Sequence, residues 1–182
     1  QLSNPKAYLY QLLKAYNFTE WNDVENLLSA QSGKQVFSKS HRLIKDRAFL
    51  LVSKINTSKE KKVFYIEENQ TEIRNPIHLI FKEVQDISHQ KNNSFFVDKD
   101  LLKFPLTVRK WQNGDYLYPS GMAGKKKLSK YFKDEKLSLL EKENVWLLCS
   151  AKNEVICVLQ KRQDNRFLVA KKTKTILKIQ IN

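Results

Sequence analysis

The stretch LTVRKWQNGDYLYPSGMAGKKKLSKYFK, residues 106–133, decides the reading of this chain. Its first six residues, Leu106 to Trp111, alternate and carry β-branched and aromatic side chains, which predicts a strand. Asn113-Gly114-Asp115 is a turn sequence. Ser120 to Lys127 then reads as a glycine-spaced basic loop, and Leu128 to Phe132 as the start of a short helix. Glycines at 121 and 124 let the backbone turn tightly and approach a partner closely. Three consecutive lysines, Lys125, Lys126 and Lys127, follow at or near the predicted helix N-terminus, where exposed N–H groups favour an anion. On a helix Lys126, Lys130 and Lys133 would share one face, with Leu128 and Phe132 turned away. Phosphate is the natural ligand of such an arrangement. A Walker A loop is excluded, because GxxxxGK[ST] does not fit the spacing of GMAGKKK.

Downstream of this stretch, Ser138 to Glu143 predicts a second short helix. Val145 to Cys149 and Val155 to Leu159 predict a hairpin around Ala151-Lys152-Asn153-Glu154. Phe167 to Ala170 and Ile176 to Ile181 read as closing strands, the last turning Leu177, Ile179 and Ile181 inward. Upstream, Asn4-Pro5 is a helix start, with Asn as cap and Pro in the first turn. Tyr8, Leu9, Leu12, Leu13 and Tyr16 form one apolar face. Thr19 is placed to cap a second helix with the stripe Trp21, Val24, Leu27 and Leu28, and Gly33 to stop it. The acidic residues Glu20, Asp23 and Glu25 argue against DNA reading by this helix pair. From Gln35 the pattern becomes short β runs at 36–37, 49–52, 63–66, 77–81 and 95–97, with a charged loop at 58–62 and a polar loop at 84–94. The expected class is α+β: a short N-terminal helical segment, then a β-rich layered C-terminal domain. The expected division is 1–104 and 105–182.

Charge separates these two parts. Residues 1–104 hold 16 Lys/Arg against 12 Asp/Glu, and residues 105–182 hold 17 against 7. Most of the +14 net charge therefore sits in the smaller part. The self-repulsion is offset when the partner is a polyanion, and nucleic acid leads over an anionic membrane surface. No apolar run approaches the ~20 residues of a membrane span. Gln1 in place of an initiator methionine suggests a processed product or an excised piece. Cys149 and Cys157, without CxxC spacing or nearby histidines, read as buried thiols of a cytoplasmic protein rather than a zinc site.

Other cations add to the basic set. Arg162 and Arg166 stand at a strand end, either clamping phosphates bidentately or paired with Asp164. Arg109 and Lys110 lie beside Trp111, which is either a stacking surface or core. A smaller patch comprises Lys39-Ser40-His41-Arg42 and Lys45-Asp46-Arg47. His41 lacks the nucleophile and carboxylate of a catalytic grouping, and His78 and His89 lack metal-ligand spacing. The residues themselves indicate no active site and no cofactor.

The pattern R-x-W-x-x-G-D-x-x-x-P-x-G-M-x-G-x-K-K-L-S-x-x-F, from Arg109 to Phe132, resembles the C-terminal domain of the bacterial tRNA(Ile)-lysidine synthetase family. Asp134-x-Lys136 and Arg162-x-Asp164-x-Arg166-Phe167 continue the resemblance. Earlier, Ser32-Gly33-Lys34, Ser38, His41-Arg42-Leu43 and Asp46-Arg47 resemble the segment after that family's catalytic domain. One departure is Gln160, where the family pattern has glycine. The resemblance implies an enzyme that joins lysine to the wobble cytidine of an isoleucine tRNA with a CAU anticodon, using ATP with magnesium. Those cofactors belong to an N-terminal PP-loop catalytic domain whose SGGxDS-type motif is absent here. It further implies a C-terminal fold similar to a module of phenylalanyl-tRNA synthetase. The implied partners are tRNA, the catalytic domain of the same protein, and a second copy in a homodimer. The residues expected to contact tRNA are Arg109, Lys125, Lys126, Lys127, Lys130, Lys133, Arg162 and Arg166. The competing expectation is a structural or dimerisation domain in which Gly121, Met122, Gly124 and Phe132 are packing devices.

Overall fold

A computed structural model describes residues 3–55, 62–87 and 93–182. The chain divides into two compact units, residues 1–60 and 61–182. The boundary expected at 104/105 falls inside the second unit, because the strands on either side of it share sheets. The loop expected at 58–62 lies, apart from Lys62, outside the described residues, as does His89.

In unit 1, α1 (Pro5–Leu13) begins as expected: Asn4 accepts the Ala7 N–H, and Pro5 occupies the first turn. α2 (Trp21–Asn26) follows, and here the cap differs. Glu20 occupies the capping position without a side-chain bond, while the Thr19 hydroxyl donates to Glu20 Oε1. Gly33 has φ +96° in the turn leading into the sheet, well past the end of α2. The expected stripes are only half buried. Leu13, Val24 and Leu27 enter the core with Phe18, whereas Tyr8, Leu12 and Leu28 stay exposed. The helices pack on an antiparallel meander of β1 (Gln35–Phe37), β2 (His41–Asp46) and β3 (Phe49–Lys54) through Val36, Leu43 and Leu50.

Unit 2 is layered. Its described strands are β4 (Val63–Ile66), β5 (Glu72–Ile73), β6 (Leu79–Val84), β7 (Ser94–Asp98), β8 (Leu106–Lys110), β9 (Tyr116–Leu117) and β10 (Lys126–Lys127). Helices α3 (Leu128–Asp134) and α4 (Leu139–Asn144) come next, followed by β11 (Trp146–Cys149), β12 (Val155–Val158), β13 (Arg162–Gln163) and β14 (Ile176–Ile181). A five-stranded sheet of order β13-β12-β11-β8-β4 faces a four-stranded sheet of order β5-β6-β14-β7. The core between them takes Leu106, Val108, Leu148 and Ile156 from the first sheet. From the second it takes Leu79, Phe81, Val97, Leu177, Ile179 and Ile181. The other face of the five-stranded sheet is covered by Leu117, Leu128, Tyr131 and Phe132. The α+β class and the inward alternation of the last strand are as the sequence predicts.

The thiols are both buried and free, and they belong to opposite faces of the five-stranded sheet, Cys157 in the first core and Cys149 in the second. Burial pushes the Cys149 thiol up to about 12 and raises Cys157 as well. Phe167 to Ala170 is not a strand. Asp164 caps a 3-10 turn over Asn165–Phe167, and a single bridge joins Leu168 to Val97.

Gln160 stands where the backbone favours glycine. The Lys161 N–H bonds to the Val158 carbonyl, closing a turn, and Gln160 stands in it at φ +61°. An L side chain there costs about 1–2 kcal/mol, while glycine adds back about 0.5–1 kcal/mol of backbone entropy. Gln160→Gly is therefore expected to stabilise the protein by roughly 0.5–1 kcal/mol, read as a rise in the urea midpoint at unchanged m-value. A lower midpoint would show that the left-handed conformation is not strained.

Candidate nucleic-acid interface

The basic segment is a hairpin. β9 and β10 pair antiparallel, Leu117 with Lys126 and Tyr116 with Lys127, so residues 118–125 are its loop. Pro119 to Met122 form a turn closed by the Met122 N–H on the Pro119 carbonyl. Gly121 takes φ +82° in that turn and Gly124 φ +96° beyond it, conformations open to glycine at little cost. The loop is fixed at its base to the segment 162–166. Tyr118 N–H donates to Asp164 Oδ2 at 2.9 Å, Asn165 N–H to the Tyr118 carbonyl at 2.8 Å, and Arg162 Nη2 to the Ser120 carbonyl at 3.2 Å. The two motifs read separately in the sequence, around Lys125 and around Arg162, are thus neighbours.

Lys125, Lys127, Lys130 and Lys133 are exposed, and among the described residues none has an acidic partner within ion-pair distance. Lys125 Nζ lies 5.0 Å from the centre of the Tyr116 ring. Lys126 departs from the expected helical face. It lies in β10, ahead of the helix, and its Nζ reaches Asp134 Oδ2 at 2.8 Å. This bond, with the nearby charges of Lys126, Lys130 and Lys133, holds the Asp134 carboxyl below the usual carboxylate range. The expected anion site at the helix start is also altered. α3 has only seven residues, and the Leu128 N–H already donates to the Asp115 carbonyl at 2.8 Å.

Arg109 is not on the surface. It is 4% exposed, on the helix-covered side of the five-stranded sheet, opposite Leu147. Nη1 and Nη2 grip the two Asp115 carboxylate oxygens at 2.8 Å each, Nε donates to Asn153 Oδ1 at 2.9 Å, and Nη1 also reaches the Lys110 carbonyl. Asp115 in turn accepts the Gln112 N–H at 2.7 Å. The guanidinium is spent on joining two turns, which leaves no geometry for a phosphate. Trp111 is core: its Nε1 donates to the Lys142 carbonyl and its ring meets Phe132 edge-on.

Arg166 is similarly engaged. Asp164, completely buried, accepts its backbone N–H, its Nε and its Nη2, while Nη1 pairs with Glu154. The Arg166 guanidinium sits 4.6 Å from the Tyr118 ring centre and 5.6 Å from that of Tyr116. The Asp164 pairing, left open by the sequence, is the one realised. Sequence reasoning does not find the supports Tyr116, Tyr118 and Asp164 as a group, because nothing local links residue 118 to residue 164. A further exposed set, Lys171, Lys172 and Lys174, also escapes it. Its turn is anchored by Thr173 Oγ1, which donates to the buried Asp98 at 2.6 Å.

In unit 1, His41 shares a 2.8 Å hydrogen bond with Ser40 and packs edge-on against Tyr16. Lys45 donates to the Leu28 carbonyl. In unit 2, His78 bonds Glu72 at 2.7 Å. Among the described residues no group of three His, Cys, Asp or Glu is placed to hold a metal, and no helix is long and apolar enough to cross a membrane.

Comparison with known proteins matches two segments of the chain. Residues 1–55 match the family described as TilS substrate binding domain, and residues 106–181 the family described as TilS substrate C-terminal domain. The chain is similar to the tRNA(Ile)-lysidine synthase of Parabacteroides distasonis, 41% identical over 179 residues, covering 95% of this chain and 40% of that protein. The tRNA(Ile)-lysidine synthase of Bacteroides thetaiotaomicron is 36% identical over 177 residues, with 95% and 39% covered. The chain thus spans about 40% of the length of these curated relatives. A solved structure described as "Crystal structure of TILS C-terminal domain" shares the fold at a TM-score of 0.56 and 20% identity, over 66% of this chain and 97% of that one.

Proposed function

This chain belongs to the tRNA(Ile)-lysidine synthase family, and from that premise we propose that its second unit binds tRNA while catalysis resides elsewhere in the parent protein. The observation that carries this reading is the stapled lysine hairpin together with α3, which continues it. Four exposed cations on a rigid support, in the part of the chain with the largest charge excess, suit the phosphates of a folded RNA. Contacts with phosphates and shape dominate, because an A-form helix hides its base edges in a narrow major groove. Lys125, Lys127, Lys130 and Lys133 make the main contacts. Arg162 and Lys126 add charge beside them, while Arg109 and Arg166 hold the support. The parent enzyme ligates lysine to the wobble cytidine of a CAU isoleucine tRNA. ATP and magnesium sit in its N-terminal catalytic domain, and this chain holds the tRNA body, in the cytoplasm.

The test is a titration against unmodified isoleucine tRNA with a CAU anticodon and a methionine tRNA with the same anticodon, at two salt concentrations. Salt-sensitive binding is expected, tighter for the isoleucine tRNA. Equal binding would make the unit a non-selective electrostatic clamp. No binding to either overturns the proposal.

A structural role is favoured for unit 1 by its sheet. Paired residues share a face, so Phe37, opposite Arg42, and Phe49, opposite Asp46, lie on one side, 56% and 66% exposed. We propose that Phe37 and Phe49, at the margins of a face whose centre at Ile44 is already buried, dock on the catalytic domain. A concentration-dependent dimer of this chain in sedimentation would assign them to homodimerisation instead.

A further inference from the structure

We infer that Met122 packs against an exposed nucleobase face of the bound RNA, an inference that rests on the tRNA-binding reading above. In the competing expectation Gly121, Met122, Gly124 and Phe132 are all packing devices. The structure separates them. Phe132 is fully buried under the sheet, whereas Met122 is 52% exposed at the closing position of the Pro119–Met122 turn. It is the one large apolar side chain in the loop beyond Pro119, and it contributes to neither of the two cores of unit 2. Its position is set from below: Arg162 holds the carbonyl of Ser120, and Asp164 and Asn165 hold both backbone groups of Tyr118. On the same hairpin stand Lys125 and Lys127, exposed and without an acidic partner among the described residues.

Phosphate alone gives no use for a thioether at this point. A ligand that presents an apolar, polarisable surface flanked by phosphates does, and a nucleobase face is that surface. Sulfur against an aromatic ring is a favourable contact, and apolar side chains act as wedges against base faces elsewhere. Inside a continuous A-form stem these faces are stacked on one another. They are open at the end of a stem, in an adjoining single strand, and in unpaired loops and bulges. Met122 therefore meets a terminal or unpaired base, with the lysines on the phosphates beside it.

Met122→Lys separates this from simple charge attraction, because it adds a cation to an exposed loop position that the fold does not depend on. Binding is measured to tRNA, to an open-ended RNA stem with a single-stranded 3′ extension, and to the same stem closed at each end by an alkyl linker in place of loop nucleotides, which covers the terminal pairs and leaves no unpaired base. On tRNA and the open stem, Met122→Lys and Met122→Ala are both expected to weaken binding about 3- to 10-fold. On the closed stem the weakening should vanish for Met122→Ala. Equal or tighter binding of Met122→Lys to tRNA, with the unaltered chain binding normally, overturns the inference and leaves the tRNA reading intact. A weakening that persists on the closed stem also overturns it, moving the contact to sugar edges. Failure of the unaltered chain to bind any of the three removes the tRNA reading, and this inference with it.

Discussion

Replacing Lys125, Lys127, Lys130 and Lys133 together by glutamine should lower tRNA affinity by roughly a hundredfold or more near 0.1 M salt, and should flatten its salt dependence. Each phosphate that is no longer neutralised takes about 0.7–0.9 off the slope of log K against log salt, so four of them take off about 3. The fold should survive. All four side chains are exposed and make no ion pair within the described part of unit 2, and surface changes of this kind usually stay within ~0.5 kcal/mol. Lys126 is left in place because it holds Asp134. The readout is the slope as much as the affinity. An unchanged slope with wild-type affinity would move the interface away from this hairpin.

Arg109→Met should behave in the opposite way, costing stability and sparing recognition. Removing the guanidinium leaves Asp115 nearly buried without its two charge-assisted bonds, and Asn153 without its donor. Breaking one side of a buried pair costs about 3–5 kcal/mol. For a unit of this size that is a fall in melting temperature of roughly 10–20 °C. Arg109→Lys keeps the charge but not the fork, and should recover only part of that stability. tRNA affinity measured well below the melting point should remain within about twofold of wild type. A normal melting temperature combined with abolished tRNA binding would restore Arg109 to the contact surface.

These two results divide the basic residues into those that meet a ligand and those that build its support, a distinction only partly legible in sequence. β14, which alternates, and β11 and β12, which are continuous apolar runs buried on both faces, are readable with β8 because each lines a core. Asn4 is readable as a cap because its chemistry is local. The β9–β10 pair is not, since Tyr116, Leu117, Lys126 and Lys127 show no strand periodicity and their pairing is fixed by Asp164 and Asn165, far along the chain. Phe167 to Ala170 has the composition of a strand, but the Asp164 side chain commits the backbone to a 3-10 turn. Arg109 reads as a surface cation because its partner lies six residues on, across a turn, and helix or strand periodicity does not bring the two together. The lysines exposed in the hairpin are the part of the site that composition and glycine spacing mark correctly as accessible.

The place of β14 bears on how the protein is made. It lies between β6 and β7 and pairs with both, Ile179 opposite Phe81 on one side and Phe95 on the other. On the ribosome those two strands emerge long before the one that joins them, with the whole five-stranded sheet except β4 still to be made. During that interval each offers an unpaired edge and the apolar side chains Leu79, Phe81 and Val97, which become core only later. Such long-range closure is slow and leaves the nascent chain exposed to self-association. The four-stranded sheet of unit 2 is therefore completed late in synthesis, and its unpaired edges stay open to self-association until Ile181 has cleared the exit tunnel.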